Sequence, residues 1–260
     1  MRRRTYLKLG GGAAIGASLG GCLDSVTGGG DDDSEIVAGT APGFPPFEMN
    51  EGGELVGFDI DLLEAVVEET DYTLADDWEE FEFESLIPAL ENDNIDVIAA
   101  AMTIDPEREE TIAFSDPYYE ANQSVLVRED EDVDWETIED LEGVTVGAQS
   151  GTTGEAVVED ELIEAGLIDD GDYNTYDNYV LGVEDLENGN VDAIVLDVPV
   201  AETFANDRAV EVAFTYETGE EYGFGLRQDE EELQSALNEG LATVQEDGRY
   251  EELVDEWFGN

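Results

Sequence analysis

The chain has 260 residues, 41% of them hydrophobic and 9% aromatic, which is enough apolar material for one or two packed units and too much for a disordered tail. Nine Lys and Arg stand against 69 Asp and Glu, a formal charge of −60 spread over the whole length. A nucleic-acid partner is excluded because a phosphate backbone needs a basic face. No His occurs, which removes Ser-His-Asp and Cys-His nucleophile systems and imidazole zinc sites, and the lone Cys22 excludes an internal disulfide.

So large a charge repels itself over a Debye length of about 8 Å at physiological salt, but only over about 3 Å at molar salt. Arg2, Arg3, Arg4 and Lys8 crowd the first ten residues, leaving five Arg and no Lys from Cys22 onward. This usage resembles that of extreme halophiles, whose carboxylate-rich surfaces stay hydrated in concentrated salt. A calcium-buffer reading fails on its own loops. Asp130-Asp132-Asp134 has Trp135 where an EF-hand wants Gly and Leu141 where it wants Glu, and Asp170-Asp172-Asn174 ends on Leu181. No metal and no cofactor are expected.

In chain order, Arg3-Arg4-Thr5-Tyr6-Leu7-Lys8 precedes a short Gly/Ala-rich apolar run, which predicts a signal peptide over residues 1–21. It resembles the twin-arginine export signal, with Tyr6 where Phe is commoner. Leu19-Gly20-Gly21-Cys22 resembles a lipobox, which makes Cys22 the lipidated first mature residue. Residues 22–35, acidic and Gly-rich, read as a flexible tether to the membrane. A short strand is predicted at Ile36-Val37-Ala38, and a helix over Asp59–Glu69 with Leu62, Leu63, Val66 and Val67 on one face. A second helix over Leu86–Leu90 stops at Asn92-Asp93-Asn94, and Ile95–Ala101 follows as a buried strand. Leu90–Ile98 recurs as Leu186–Ile194 at an offset of 96, six of nine positions identical, as two similar βα lobes would produce. Ligands of α/β sheets gather beyond the carboxyl ends of strands, so the segments after Ala101 and around Asp197 are the expected lips of a cleft. Leu233, Leu237, Leu241 and Val244, then Tyr250, Leu253, Val254, Trp257 and Phe258, mark two closing helices. From Ile36 onward nothing approaches 18 uninterrupted apolar residues.

Phe44-Pro-Pro-Phe-Glu48, Val56-Gly-Phe-Asp-Ile-Asp-Leu62, Leu86-Ile-Pro-Ala-Leu90, Met102-Thr-Ile-Asp-Pro-Glu-Arg108, Phe114-Ser-Asp-Pro-Tyr118 and Val146-Gly-Ala-Gln-Ser-Gly-Thr152 resemble the extracellular solute-binding proteins, family 3, of polar amino-acid ABC importers, here of haloarchaeal type. The resemblance runs from Glu35 to Gly259. It implies an α/β, two-lobed periplasmic-binding-protein-like (type II) fold with a ligand cleft, the chain crossing near Ser124–Arg128 and Tyr222–Arg227. The first lobe is expected over 36–125 and 225–260, and the second over 126–224.

The resemblance also implies roles. Arg108 would fork onto an α-carboxylate and Asp197 would take the α-ammonium from the other lobe. Thr103, beside Ala101, would complete a polar ring. Ser150-Gly151-Thr152-Thr153 would offer backbone N–H groups, and Phe44 and Phe83 would sandwich the side chain. Thr40-Ala41 departs from members that carry an acid after the Thr, so a neutral side chain is expected, with Gln149 at its polar end. The implied protein is a membrane-anchored extracellular lipoprotein, a monomer and not an enzyme, that passes an amino acid to permease subunits with a cytoplasmic ATPase. A binding protein for another small carboxylate, a dehydratase on the same fold and a sensor lipoprotein are the alternatives.

Overall fold

The structure, a computed structural model, describes residues 34–131 and 133–259. The expected signal segment, Cys22 and the tether before Ser34 lie outside the described residues. The chain opens with β1 (Glu35–Ile36), β2 (Ala38–Thr40), a hairpin of β3 (Met49–Glu51) and β4 (Glu54–Val56), α1 (Phe58–Val67), β5 (Thr73–Leu74) and β6 (Glu79–Glu80). Helix α2 (Leu86–Glu91) leads into β7 (Val97–Ile98), and α3 (Pro106–Glu109) into β8 (Ala113–Phe114). The long β9 (Tyr119–Arg128) is followed by β10 (Val146–Gln149), α4 (Thr153–Val157), β11 (Tyr173–Tyr176), α5 (Tyr179–Glu187), β12 (Ala193–Asp197), α6 (Val198–Asp207) and β13 (Val210–Tyr222). β14 (Gly225–Leu226), α7 (Glu231–Asp247) and α8 (Arg249–Phe258) close the chain.

Two five-stranded sheets form, ordered β6-β2-β7-β14-β8 and β11-β10-β12-β9-β13. Each has three parallel strands followed by two antiparallel ones, so the lobes share one topology. The nine-residue echo falls on equivalent places. Helix α2 ends at Asn92 with Asp93 at φ 56, α5 ends at Asn188 with Gly189 at φ 70, and the following strands take the third place of each sheet. The structure extends the echo beyond those nine residues. Arg227 Nη1 donates to the carbonyls of Leu90 (3.3 Å) and Ile95 (2.7 Å), and its Nη2 to Asp96 (2.7 Å). On acceptors 96 residues further along the chain, Arg128 Nη1 donates to Leu186 (3.1 Å) and Val191 (2.7 Å), and its Nη2 pairs with Asp192 (3.6 Å). Asp96 accepts from Val37 N and Asp192 from Thr145 N, so each guanidinium binds the helix end, the turn and the neighbouring strand together.

Two expectations need correction. Of the strand predicted over Ile95–Ala101, only Val97–Ile98 pairs as strand, with Ala99 N adding one bond to the Gly39 carbonyl. The run is buried except at Asp96, but Ala101 stands at φ 44 and turns the chain out of the sheet. The first passage between sheets lies between Phe114 and Tyr119 rather than at Ser124–Arg128, because Ser124, Val125 and Leu126 already pair with β12 in the second sheet. The return passage lies between Tyr222 and Gly225.

The closing helices bury the expected stripe. Leu233, Leu237, Leu241 and Val244 join Leu62, Leu63, Val66 and Val67 in the first core, each full burial contributing about 1.5–3 kcal/mol. Gly240 lets α7 approach α1 closely, since a Cβ there would meet the Val66 carbonyl oxygen. Helix α8 is half-buried. It lays Phe258 against Phe47 and Phe58 at 5.2 Å, and Trp257 Nε1 donates to Asp61 at 2.8 Å.

Candidate functional site

The loop from Gly43 to Glu48 folds back on itself. Gly43 N and Phe44 N donate to the Glu48 carbonyl, and Phe47 N and Glu48 N to that of Phe44. Phe47, fully buried, anchors this loop against Phe58, Tyr119, Tyr222 and Phe258. Gly57 is required beside it, because it sits at φ 147 and a Cβ would run into the Phe47 carbonyl. With the loop anchored from below, Phe44 and Glu48 form one wall of a small, tight cavity between the lobes.

All nine expected residues line that cavity: Phe44, Phe83, Ala101, Thr103, Arg108, Gln149, Thr152, Thr153 and Asp197, with Glu48 and Ala100 in addition. Arg108 rides on α3, where Pro106 starts the helix and Asp105 caps it by accepting from Glu107 N and Arg108 N. Its Nη1 donates to Thr103 O (2.7 Å), its Nη2 crosses to the Gly151 carbonyl of the second lobe (2.9 Å), and its Nε pairs with Asp105 (3.1 Å). The guanidinium carbon lies 5.4 Å from the centre of the Phe83 ring. Each Nη carries two hydrogens, so one on each remains beyond these bonds.

Asp197 ends β12, pointing at the cavity from the opposite lobe, and accepts a 2.5 Å bond from Tyr222 OH. Burial pushes its carboxyl up to about 8 and neighbouring Glu220 adds to the shift. Thr103 bonds Glu220 (2.9 Å) and meets Thr153 of the other lobe at 3.0 Å. Ser150 Oγ donates to Glu84 at 2.6 Å, a third tie between the lobes. Glu220 was absent from the sequence reading. It also accepts from Gln123 and Thr218, which joins Thr103 to both crossing strands.

The loop after β10 is a helix cap. Thr152 caps α4 by accepting from Glu155 N, and its hydroxyl donates to Gln149 O at 2.7 Å. Ser150 N donates to Tyr176 O and Gly151 N to the Glu155 carboxylate, so half of the amides expected to face a ligand are already committed. Gln149 is 2% exposed with its Oε1 unpartnered among the described residues.

Glu48 is a second residue that the sequence reading missed. It is 1% exposed and neither carboxylate oxygen has a hydrogen-bond partner among the described residues. Burial, with Asp59 and Asp197 nearby, holds its carboxyl well above the ordinary carboxylate range. The available signal was its place in the Phe44-to-Glu48 loop, where the residue four after a wall aromatic returns to the same wall. Among the described residues, no cluster of three or more His, Cys, Asp or Glu side chains could hold a metal, and no helix is long and apolar enough to cross a membrane.

Two lobes of one topology, joined by two crossing strands and closed over a buried polar cavity, define a hinged solute-binding protein of the type II architecture. The chain belongs to the bacterial extracellular solute-binding proteins, family 3, which match residues 36–260. It is 32% identical over 247 residues to ABC transporter arginine-binding protein 1 of Escherichia coli (strain K12), covering 92% of this chain and 97% of that protein. It is 34% identical over 236 residues to the histidine-binding periplasmic protein of the same organism, covering 86% and 87%. Among solved structures, an ancestral arginine-binding protein bound to arginine is similar at a TM-score of 0.80 and 35% identity, over 87% of this chain and 99% of that one.

Proposed function

We propose that this chain is the substrate-binding component of an ABC importer and captures a basic α-amino acid. The observation that carries this reading is Glu48, a buried carboxylate with two unpartnered oxygens on the cavity wall. A buried carboxylate ionises when a cation meets it, so Glu48 supplies the receptor for a guanidinium, ammonium or imidazolium that Ala41 does not. The expectation of a neutral side chain therefore gives way. In this reading the free hydrogens of Arg108 and the amides of Thr152 and Thr153 bind the α-carboxylate. Asp197 and the Thr103 hydroxyl take the α-ammonium, Phe44 and Phe83 flank the side chain, and Gln149 bonds its polar end. Only the closed state brings Arg108 and Asp197 to one ligand, so the ligand favours closure by its differential contacts.

The lobes in this proposal run from residue 36 to Phe114 with a return from Gly225, and from Tyr119 to Tyr222. Cys22 carries the lipid anchor after twin-arginine export, the protein works as a monomer at high salt, and the ligand leaves chemically unchanged. Calorimetry in multimolar KCl tests the reading. Arginine, histidine or lysine should bind more tightly than glutamine, glutamate or leucine, and Glu48→Gln should weaken the cationic ligands by roughly 30-fold or more while sparing glutamine, as for one side of a desolvated charge pair. Tightest binding of glutamate or leucine by the wild type overturns it, as does conversion of the ligand over hours.

A further inference from the structure

Ala101 is one of two non-glycine residues at positive φ among the described residues, and the only one of the two on the cavity wall. A left-handed alanine is strained because its Cβ crowds the following carbonyl, so some neighbouring interaction must hold it. Its amide donates to Asp59 Oδ2 at 2.6 Å, and the same oxygen accepts Tyr118 OH at 2.6 Å. Asp59 is fully buried in the first turn of α1 and is not among the cavity-lining residues. Its own amide donates to Phe47 O (3.0 Å), which fastens α1 to the loop carrying Phe44 and Glu48. One residue therefore ties together two stretches of the cavity wall, the loop at 44–48 and the corner at Ala101. Beyond the corner, Met102 O accepts from Gly223 N and Thr103 bridges to Tyr222, so the direction taken at Ala101 decides where Thr103 meets the hinge.

We infer that Asp59 is a positioning residue for ligand binding: its carboxylate holds the left-handed corner at Ala101 and so sets the geometry of the Ala100–Thr103 wall. The inference rests on the cavity being the amino-acid site, and its test has one arm that does not.

Asp59→Ala should weaken arginine binding by on the order of tenfold to a hundredfold in calorimetry at high salt. Asp59→Asn keeps an oxygen for both donors and should stay within about threefold of wild type. Combining Asp59→Ala with Ala101→Gly should recover most of the loss, because glycine takes a positive φ without strain. A merely structural role would predict equal losses with and without Ala101→Gly, and that result overturns the inference. Amide hydrogen exchange of the ligand-free protein supplies the independent arm. The Ala101 amide should be protected in wild type and Asp59→Asn and should exchange much faster in Asp59→Ala; equal protection in all three also overturns it. If the wild type binds no amino acid, the functional reading fails while hydrogen exchange still decides the role of Asp59. Should Asp59→Ala fail to fold, Asp59→Asn decides alone: loss of Ala101 protection, or an affinity loss beyond tenfold at an unchanged apo melting temperature, overturns the inference.

Discussion

Three buried carboxyls around the cavity share one electrostatic difficulty, since each must leave water with few cations to meet it. Burial lifts Asp59 to about 7 and Asp197 to about 8, and holds Glu48 well above its ordinary range. A raised folded-state pKa means the folded protein holds protons that the unfolded chain has already released. For these groups, folding stability is therefore greatest below about pH 4 and falls as pH climbs to about 8. A cationic ligand works in the opposite sense, because it favours the ionised carboxyls and must expel their protons at low pH. The apo melting temperature should thus fall between pH 5.5 and 8.5 while arginine affinity rises. Calorimetry in two buffers of different ionisation enthalpy should show proton release at the acid end; affinity independent of pH would contradict the arrangement. Arg108→Ala or Asp197→Ala removes one side of the clamp and should lower affinity about 30-fold to several thousandfold, from roughly 2–5 kcal/mol. Titration of either variant at micromolar ligand checks this.

At the scale of elements, the paired guanidiniums of Arg227 and Arg128 do the same task in each lobe, satisfying carbonyls where a helix ends and a strand begins. Arg227→Ala and Arg128→Ala should each destabilise by about 1–3 kcal/mol, because the acceptors lose their donor and Asp96 or Asp192 loses its counter-charge. Denaturant unfolding should show the loss in both, with ligand affinity within about threefold of wild type. This symmetry was only partly legible in the sequence. The nine-residue echo stands out because turn residues and a buried strand leave a local signature, but the arginine contacts join Arg227 to Leu90 and Arg128 to Leu186 across long stretches of chain. Of the nine residues expected at the cleft, Phe44, Thr103, Arg108, Gln149 and Thr152 sit in short motifs whose order fits the family, while Phe83, Ala101, Thr153 and Asp197 lie outside them. Glu48 lay within such a motif and still escaped, since only its place four residues after Phe44 separates it from 68 other carboxyls. Ala101 was legible as cleft-lining but its φ was not, because alanine carries no sign of a left-handed corner, and the first crossing was misplaced because Ser124 to Leu126 reads equally well on either side of a hinge.

Over the whole molecule the charge of −60 meets few internal cations. All five arginines of the described residues are engaged in ion pairs with neighbouring acids, which leaves most carboxylates to water and salt. The folded, ligand-competent state should be lost as KCl falls below roughly molar levels, where screening lengths exceed about 3 Å. Circular dichroism across a salt series checks this, and cooperative folding with full binding at 50 mM salt would sink it. The crossing strands carry a different consequence. Tyr119 and Tyr222 are register partners whose rings stack at 5.8 Å, so the segment holding the whole second sheet starts and ends at one spot. Topologically it is a cassette spliced into the first lobe, able to be exchanged without rerouting the remainder. It brings Gln149, Thr152, Thr153 and Asp197, whereas Phe44, Glu48, Phe83 and Arg108 stay with the host. A chimera that receives residues 119–222 from a relative should therefore inherit that relative's counterparts of Asp197 and Gln149 while keeping Arg108, Glu48 and the two Phe faces, so that the two halves of ligand recognition can be recombined as separate parts.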